Sequence, residues 1–216
     1  MARKDIYIIR HGETDYNRRG VVQGSGVDSD LNEMGRAQAM AFFEAYQHIP
    51  FAKIYTSTLK RTYQTVEPFL ELGIPVERLS GLNEISWGTM EGKIPNSLSD
   101  GYFRNLIENW SAGNTALSTD QGESPEQVVA RQRPALARIM AQPHESPVLV
   151  AMHGRAMRIL LSWLLGKPLA RMDEFEHSNL CLYKLTYQAE TGLFTLNVAN
   201  DTTHLLGLLH QPVLQQ

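Results

Sequence analysis

A short stretch near the N-terminus, residues 5–14, constrains this chain more than any other. Asp5–Ile9 predicts a strand that is buried on both faces, because its last four residues are all apolar. The strand ends at Arg10, His11 and Gly12. A rigid strand that brings a cation and an imidazole to the edge of a sheet indicates an anion site. The alternative is that both side chains merely cap the strand at the surface.

Two later segments show the same order of strand, polar residues and helix. Ala52–Tyr55 predicts a strand, and hydroxyl residues separate it from a helix predicted over Leu59–Leu72. Pro147–Met152 is the most strand-like run, and it ends at His153 and Gly154, where a further apolar helix begins. This rhythm is typical of an α/β protein. We expect three α/β/α layers, with a mostly parallel central sheet and helices on both faces.

Smaller signals complete the predicted element order. Asn32 is placed to cap one helix, and Ser124 begins another with a capping box. Pro75–Ser80 predicts a short edge strand, and Leu180–Tyr187 with Leu193–Val198 predicts a hairpin. We expect one domain over residues 1–216, interrupted by a small lid at 93–123, because so short an insertion cannot hold a core of its own.

Composition excludes several classes of function. The formal net charge of −3 and the pI near 6.2 argue against a nucleic-acid binder. A single cysteine, Cys181, excludes an intramolecular disulfide framework, and its apolar surroundings predict a buried thiol. The apolar runs are too short for a signal-peptide core or a membrane helix. We therefore expect a cytoplasmic protein that binds neither nucleic acid nor membrane.

The carboxyl ends of parallel strands meet at one edge of a sheet, so Arg10, His11, Arg61 and His153 are expected to converge there. A phosphate dianion, held by guanidinium groups, fits such a cluster best. A metal site made of His11, His153 and Glu84 is the alternative. The neighbouring arginines argue against it because they would repel a cation.

The motifs that carry these residues resemble the histidine phosphatase superfamily, also called the phosphoglycerate mutase-like fold, in its phosphatase branch. The resemblance covers about 150 residues in the family's order. Its motifs are Arg10–Thr14 with Asn17, Leu31–Ala39, Ser57–Thr65, Leu82–Ile85 with Gly88, Glu91 and Gly92, and His153–Gly154 with Arg158. One departure is Arg155, which stands where a second glycine is frequent in the family.

The resemblance implies a role for each matched residue. His11 would be the nucleophile that forms a phosphohistidine, with its other ring nitrogen donating to a backbone carbonyl. Arg10, Arg61 and His153 would hold the phosphoryl oxygens and stabilise the charge that builds in the transition state. Glu84 would protonate the leaving alkoxide and then activate water.

Further residues are assigned less central roles. Asn17 and the backbone of Gly154 would add donors to the phosphate site. Arg158 is expected to form a structural salt bridge, and the plainest interpretation of the Ser57 and Thr58 hydroxyls is that they only cap the helix. Substrate selectivity is assigned to five positions around the site: Gln23, Tyr102, Phe103, Trp110 and Arg155. For Arg155, contact with a second anionic group and a solvated side chain are equal alternatives.

The resemblance implies a histidine acid phosphatase-type phosphomonoesterase that acts on a small phosphorylated metabolite. The lid region contains only two basic residues, Lys93 and Arg104, which argues against a phosphoglycerate mutase-type isomerase. A catalytically silent phospho-ligand or protein-binding relative is a third hypothesis, and the retained nucleophile, arginines and acid argue against it. No cofactor or metal is expected, because the histidine itself carries the phosphoryl group. The oligomeric state is left open, with a homodimer as one possibility.

Overall fold

A computed structural model describes residues 3–94 and 97–208, so the predicted domain (1–216) and lid (93–123) both extend to residues outside this description. Its centre is a six-stranded sheet of β1 (Arg3–Arg10), β2 (Lys53–Thr56), β3 (Val76–Arg78), β4 (Val148–Met152), β5 (Leu182–Gln188) and β6 (Leu193–Asp201). Their order across the sheet is β3-β2-β4-β1-β5-β6. The first four run parallel, and β5 and β6 are antiparallel to their neighbours.

The helices pack on both faces of this sheet, as the sequence predicts. They are α1 (Asp15–Arg18), α2 (Glu33–Tyr46), α3 (Lys60–Val66), α4 (Ser97–Ser111), α5 (Pro125–Met140) and α6 (Gly154–Leu164). The side chains of β1 alternate between the two faces, because successive residues in a strand point to opposite sides. Ile6 and Ile8 pack in the cluster that contains α5 and α6, and Tyr7 and Ile9 pack against residues of α2 and α3.

Local sequence signals begin the helices at the predicted residues. The side chain of Asn32 accepts a hydrogen bond of 2.8 Å from Gly35 N–H at the start of α2. Ser124 and Gln127 form the predicted capping box of α5. The hairpin of β5 and β6 turns through Gly192, whose φ of 68° favours glycine.

One helix is shorter than predicted. The sequence pattern indicates a helix over Leu59–Leu72, but α3 ends at Val66 and a 3₁₀ segment continues from Glu67 to Leu72. Pro68 explains the change, because it has no N–H to donate within an α-helix and its ring would clash with the backbone carbonyl of the preceding helical turn. Gly73 then ends the segment in the left-handed conformation with φ of 70°.

The predicted lid region contains α4, which packs against the rest of the molecule. Leu106 and Trp110 are buried in the cluster that also contains Trp87 and residues of α5 and α6. The indole N–H of Trp110 donates to the carbonyl of Leu117 at 2.9 Å. Part of this region therefore belongs to the main hydrophobic core.

No helix among the described residues is both long enough and apolar enough to cross a membrane.

Candidate active site

Three parallel strands deliver polar residues to one edge of the sheet. His11 directly follows β1, Ser57 directly follows β2, and His153 directly follows β4 and caps α6. The rings of the two histidines lie with their centroids 5.2 Å apart. The predicted convergence of His11, His153, Arg10 and Arg61 is therefore present in the structure, at the sheet edge where ligands of α/β proteins bind.

His11 is held in one orientation by backbone atoms. Its Nδ1 lies 2.7 Å from the carbonyl of Gly12, and Asn179 Nδ2 donates to the carbonyl of His11 at 3.0 Å. The bond to Gly12 requires a proton on Nδ1, so the neutral ring keeps its lone pair on Nε2. Burial lowers the pKa of His11 well below its ordinary value, and Arg61 and Arg10 lower it further. His11 is therefore a neutral imidazole with one unprotonated nitrogen.

Close backbone contact explains the glycine after His11. A Cβ at Gly12 would lie 2.6 Å from the carbonyl oxygen of Gly35 in α2. The N–H of Gly12 donates to Thr65 Oγ1 in α3 at 3.0 Å. The turn that follows the nucleophile candidate is thus fixed against two helices.

Arg61 is a fully buried guanidinium in the first turn of α3. It donates to the carbonyl of Val27 at 2.5 Å, to the carbonyl of Gly24 at 3.2 Å, and from Nε to His153 Nδ1 at 3.2 Å. Burial lowers its pKa to about 10, which still leaves it cationic at neutral pH. A permanent positive charge therefore lies against the second histidine.

Arg10 supplies the second guanidinium. Its Nη1 donates to the carbonyl of His177 at 2.6 Å, and its buried Nε has no hydrogen-bond partner within the described residues. The ring of His177 also lies over Gly154, where a Cβ would come within 2.5 Å of its Cδ2. Arg10 thus retains an unsatisfied donor beside the first turn of α6.

Glu84 is buried and hydrogen-bonded to backbone. Its carboxylate accepts hydrogen bonds from Ile85 N–H at 2.9 Å, Ala156 N–H at 2.8 Å and Arg155 N–H at 3.1 Å. The carboxylate therefore occupies two N–H groups of the first turn of α6 but not that of Gly154. Of these N–H groups in the first turn, Glu84 leaves that of Gly154, the one assigned to the phosphate site from the sequence.

Asn17 and Gln23 both form hydrogen bonds with Thr14, which follows the proposed nucleophile His11 closely in the chain. Asn17 Oδ1 accepts hydrogen bonds from Thr14 N–H and Asn179 Nδ2, both at 3.2 Å. Gln23 Oε1 accepts from Thr14 Oγ1 at 3.0 Å and from Ser29 Oγ at 2.7 Å. With both amide oxygens engaged, each side chain retains its amide N–H groups for donation.

Arg155 is neither solvated nor free. Its Nη1 lies 2.6 Å from Asp173 Oδ1, its Cζ lies 5.5 Å from the ring centroid of Trp110, and its side chain is only 11% exposed. Arg158 bonds the same Asp173 oxygen, which confirms the predicted structural salt bridge. Two guanidinium groups share one carboxylate, so the pair carries an excess positive charge.

The aromatic residues assigned to selectivity differ in position. Tyr102 is exposed, and Phe103 is half-buried with its ring centroid 4.9 Å from that of Trp87. Trp110 is completely buried. Its assignment as a selectivity residue is therefore corrected: it is a core residue, and it reaches the site only through the cation of Arg155 above its ring.

Sequence analysis did not assign three residues of the site, Asp173, His177 and Asn179. It assigned a fourth, Ser57, only as a helix cap. Ser57 Oγ lies 2.8 Å from His153 Nε2. The position of Ser57 at a strand end was a usable signal, since the same position marks His11 and His153. The other three come from the segment before β5, whose antiparallel pairing with β1 brings it to this edge.

Among the residues that the structure describes, no group of three or more His, Cys, Asp or Glu side chains is arranged to hold a metal ion.

Comparison with known proteins agrees with the fold and the motifs. A sequence model of the histidine phosphatase superfamily (branch 1) matches residues 6–202, and the chain belongs to this superfamily. The family match and the similarity to known enzymes of the superfamily identify the chain as an enzyme of this superfamily.

The relatives include both mutase-like proteins and phosphatases. The chain is 32% identical over 207 residues to a probable phosphoglycerate mutase of Klebsiella pneumoniae, covering 93% of this chain and 94% of that protein. It is 33% identical over 206 residues to human 6-phosphofructo-2-kinase/fructose-2,6-bisphosphatase 4, and there it covers 93% of this chain but only 42% of the relative.

Solved structures show the same architecture. A mycobacterial glucosyl-3-phosphoglycerate phosphatase matches with a TM-score of 0.81 and 27% identity, over 93% of this chain and 100% of that one. YhfR of Bacillus stearothermophilus matches with a TM-score of 0.80 and 27% identity, over 94% of this chain and 99% of that one.

Proposed function

We propose that the protein is a phosphomonoester hydrolase of the histidine acid phosphatase type, acting on a small phosphorylated metabolite through a phosphohistidine. The observation that carries this proposal is the bond from His11 Nδ1 to the Gly12 carbonyl. It leaves a neutral nitrogen, Nε2, as a nucleophile next to two arginines.

The reaction has two balanced steps. His11 Nε2 forms a bond to phosphorus while the bond from phosphorus to the ester oxygen breaks, and Glu84 gives its proton to the leaving alkoxide. Glu84 then takes a proton from water as the water oxygen attacks phosphorus, which releases inorganic phosphate and restores His11. Because the second step is hydrolysis, the acceptor of the phosphoryl group is water and no cofactor is consumed.

Positive groups around His11 stabilise the charge that builds on the phosphoryl oxygens. Arg61 is a buried cation and Arg10 is a half-buried one with a buried Nε, and their removal from water strengthens their interaction with an anion. The unpartnered Nε of Arg10 is a donor that a phosphoryl group would satisfy. The N–H of Gly154, which Glu84 does not bond, would be a second one. Asn17 adds an amide N–H from the side of α1.

The substrate class rests on the surroundings of the site. The mycobacterial phosphatase and the human bisphosphatase act, by their names, on phosphorylated sugars or sugar derivatives. Tyr102 and Phe103 add aromatic surface in α4, and the excess charge of Arg155 and Arg158 would suit a second polar or anionic group. We propose a phosphomonoester of a small polar metabolite.

An isomerase of the phosphoglycerate mutase kind is the second candidate, favoured by the similarity to the probable mutase of Klebsiella pneumoniae. Few basic residues in the lid region, only Lys93 and Arg104, argue for the hydrolase, since a mutase must bind a carboxylate as well as a phosphate.

The test is phosphate release from a panel of phosphomonoesters that includes 3-phosphoglycerate, with product identity read by ³¹P NMR. His11→Ala is expected to lower turnover at least 10³-fold, roughly the scale for loss of a nucleophile. The matched control, His48→Ala, removes an exposed histidine and should leave turnover unchanged. A His11-dependent 2-phosphoglycerate product without phosphate release would make the protein a mutase, and full activity of His11→Ala would remove the nucleophile.

A further inference from the structure

A continuous set of hydrogen bonds joins His153 to the side chains of Arg61, Ser57 and Thr62 and to the backbone N–H of Leu59. Arg61 Nε lies 3.2 Å from His153 Nδ1, and His153 Nε2 lies 2.8 Å from Ser57 Oγ. Ser57 Oγ lies 2.9 Å from Thr62 Oγ1 and accepts from Leu59 N–H at 3.1 Å. Ser57, Thr62 and His153 are all completely buried, so these bonds are shielded from bulk solvent.

The direction of each bond follows from which groups can donate. A guanidinium N–H only donates, so His153 Nδ1 must be the acceptor and the neutral ring carries its proton on Nε2. That proton points to Ser57 Oγ. Thr62 Oγ1 donates to the carbonyl of Leu59 at 2.9 Å, so Ser57 gives its own hydroxyl proton to Thr62. Every donor in the set has an acceptor.

The surroundings of His153 keep its ring in this neutral form. Burial lowers the pKa of His153 well below its ordinary value, and nearby cations lower it further. The ionisable groups that face it are Arg10 from the end of β1, His11 directly after that strand, Arg61 from α3, Arg131 from α5, the Glu84 carboxylate on the first turn of α6, and His177 over Gly154. In this form the ring has no N–H to offer a phosphoryl oxygen.

An anion between Arg61 and His153 changes this balance. A phosphate dianion supplies negative charge that compensates the surrounding cations, and it accepts the N–H of Arg61 in place of Nδ1. His153 Nδ1 can then take a proton and donate to a phosphoryl oxygen. Written for the monoanion, neutral His153 and ROPO₃H⁻ become protonated His153 and ROPO₃²⁻, with no bond to phosphorus made or broken.

We propose that Ser57 is a positioning residue for His153: its hydroxyl keeps the proton on Nε2, and so makes Nδ1 the ring atom that is protonated when a phosphate group binds. This rests on the proposed function, because it assigns the phosphate group to the same site. Ser57 touches neither the substrate nor the reacting atoms in this account. Its hydroxyl oxygen accepts the hydrogen bond from Nε2–H in both charge states of the ring.

The first measurement observes the tautomer and needs no turnover. In ¹⁵N-histidine-labelled protein without phosphate, His153 should show a protonated Nε2 and an unprotonated Nδ1, with the resonance assigned by its loss in His153→Gln. Saturating inorganic phosphate should protonate Nδ1. A proton on Nδ1 in the phosphate-free protein would overturn the proposal, even if the protein proved to be an active hydrolase.

The second measurement separates positioning from simple support of the fold. Calorimetry with inorganic phosphate near pH 8, in buffers of different ionisation enthalpy, should show uptake of close to one proton per phosphate bound by the wild type. In Ser57→Ala the protonated ring lacks an acceptor for Nε2–H. Proton uptake should fall, and the upper limb of the pH profile of kcat/KM should move about one unit towards acid, with about tenfold loss at pH 8.

Two further variants make the result decisive. Ser57→Thr retains the hydroxyl and should restore the wild-type profile. Ser162→Ala removes another buried serine hydroxyl, which donates to the carbonyl of Arg158 away from His153, and should leave the profile unchanged. Equal losses for Ser57→Ala at every pH, with normal proton uptake, would show that Ser57 only supports the fold and would overturn the proposal.

Discussion

At the scale of single residues, the Glu84 carboxylate interacts with two kinds of neighbour, backbone N–H groups and arginine side chains. Its carboxylate accepts N–H groups of Ile85, Arg155 and Ala156, and it also contributes negative charge to the surroundings of Arg10 and Arg61. The first environment holds α6 against the loop that carries Glu84. The second places an ionisable oxygen beside the proposed phosphate site, where a leaving group would need a proton.

The Glu84→Gln variant separates the structural role of these hydrogen bonds from the proposed role of Glu84 as proton donor. The amide retains one acceptor oxygen and turns an N–H₂ towards N–H donors, so the free energy of unfolding should fall by about 1–3 kcal/mol. Turnover of alkyl phosphates should fall by about 10²–10⁴, the usual contribution of a positioned proton donor. Hydrolysis of p-nitrophenyl phosphate should fall much less, because its leaving group departs without protonation.

The measurements are chemical denaturation and steady-state kinetics on both esters. Glu126→Gln is the matched control, since its carboxylate accepts from Thr115 Oγ1 at 2.8 Å away from the histidines. Equal losses on alkyl and nitrophenyl esters would remove the general-acid role and leave only the helix cap.

Residue-level prediction from the sequence was most successful at strand ends. His11 and His153 could be placed together because parallel strands end at one edge, which needs no knowledge of side-chain contacts. The bond from Ser57 to His153 could not be predicted, because it depends on the register that pairs Thr56 with Ala151 between β2 and β4. The reach of Glu84 to α6 is likewise a tertiary contact across 72 residues of sequence.

At the scale of elements, α4 shows what amphipathic spacing can and cannot reveal. The pattern of Tyr102–Trp110 predicts a helix, and α4 contains all of it. Spacing does not tell which apolar residues face the core and which face an opening, so Trp110 was grouped with Tyr102. The structure separates them: Trp110 is completely buried, and Tyr102 is 47% exposed.

This difference in burial predicts a large loss of stability for one alanine substitution in α4 and almost none for the other. Trp110→Ala should lower the free energy of unfolding by about 3–5 kcal/mol, the usual cost of removing a large buried aromatic side chain. It should also weaken catalysis indirectly, because Arg155 loses the ring beneath it. Tyr102→Ala should change stability by no more than about 0.5 kcal/mol, since exposed positions tolerate substitution.

Urea denaturation and KM values for a substrate panel check both variants. If Tyr102 selects among substrates, its KM values will change unequally across the panel while kcat for the best substrate is retained. A stable Trp110→Ala protein, or a uniform effect of Tyr102→Ala on every substrate, would contradict the division of α4 into a core face and a selectivity face.

At the scale of the whole molecule, the fold concentrates uncharged histidines in a protein of net charge −3. Burial lowers the pKa values of four of them: well below the ordinary value for His11 and His153, to about 3 for His177, and in the same direction for His204. Three surround the proposed site, where arginines add to the effect. His204 lies apart, edge-on to the rings of Phe42 and Tyr46.

These shifts predict how stability depends on pH. The native pKa values lie below the unfolded value near 6.5, so below that pH the unfolded chain binds more protons than the native state. Stability is therefore highest above about pH 6.5 and falls as the pH falls towards the native pKa values. His11 and His153, only 2% and 0% exposed, would each contribute a loss of up to about 1.4 kcal/mol per pH unit in this window.

Thermal unfolding between pH 8 and pH 4 measures this dependence. His204→Gln removes one of the four titrating groups and keeps a donor for the carbonyl of Leu180, which His204 Nε2 contacts at 2.9 Å. Its Tm should fall less steeply with acid than that of the wild type. Saturating phosphate should oppose the acid loss at the site, because a bound anion favours protonated His153. A Tm that is constant from pH 8 to pH 4 would show that the buried histidines are not held neutral by the fold.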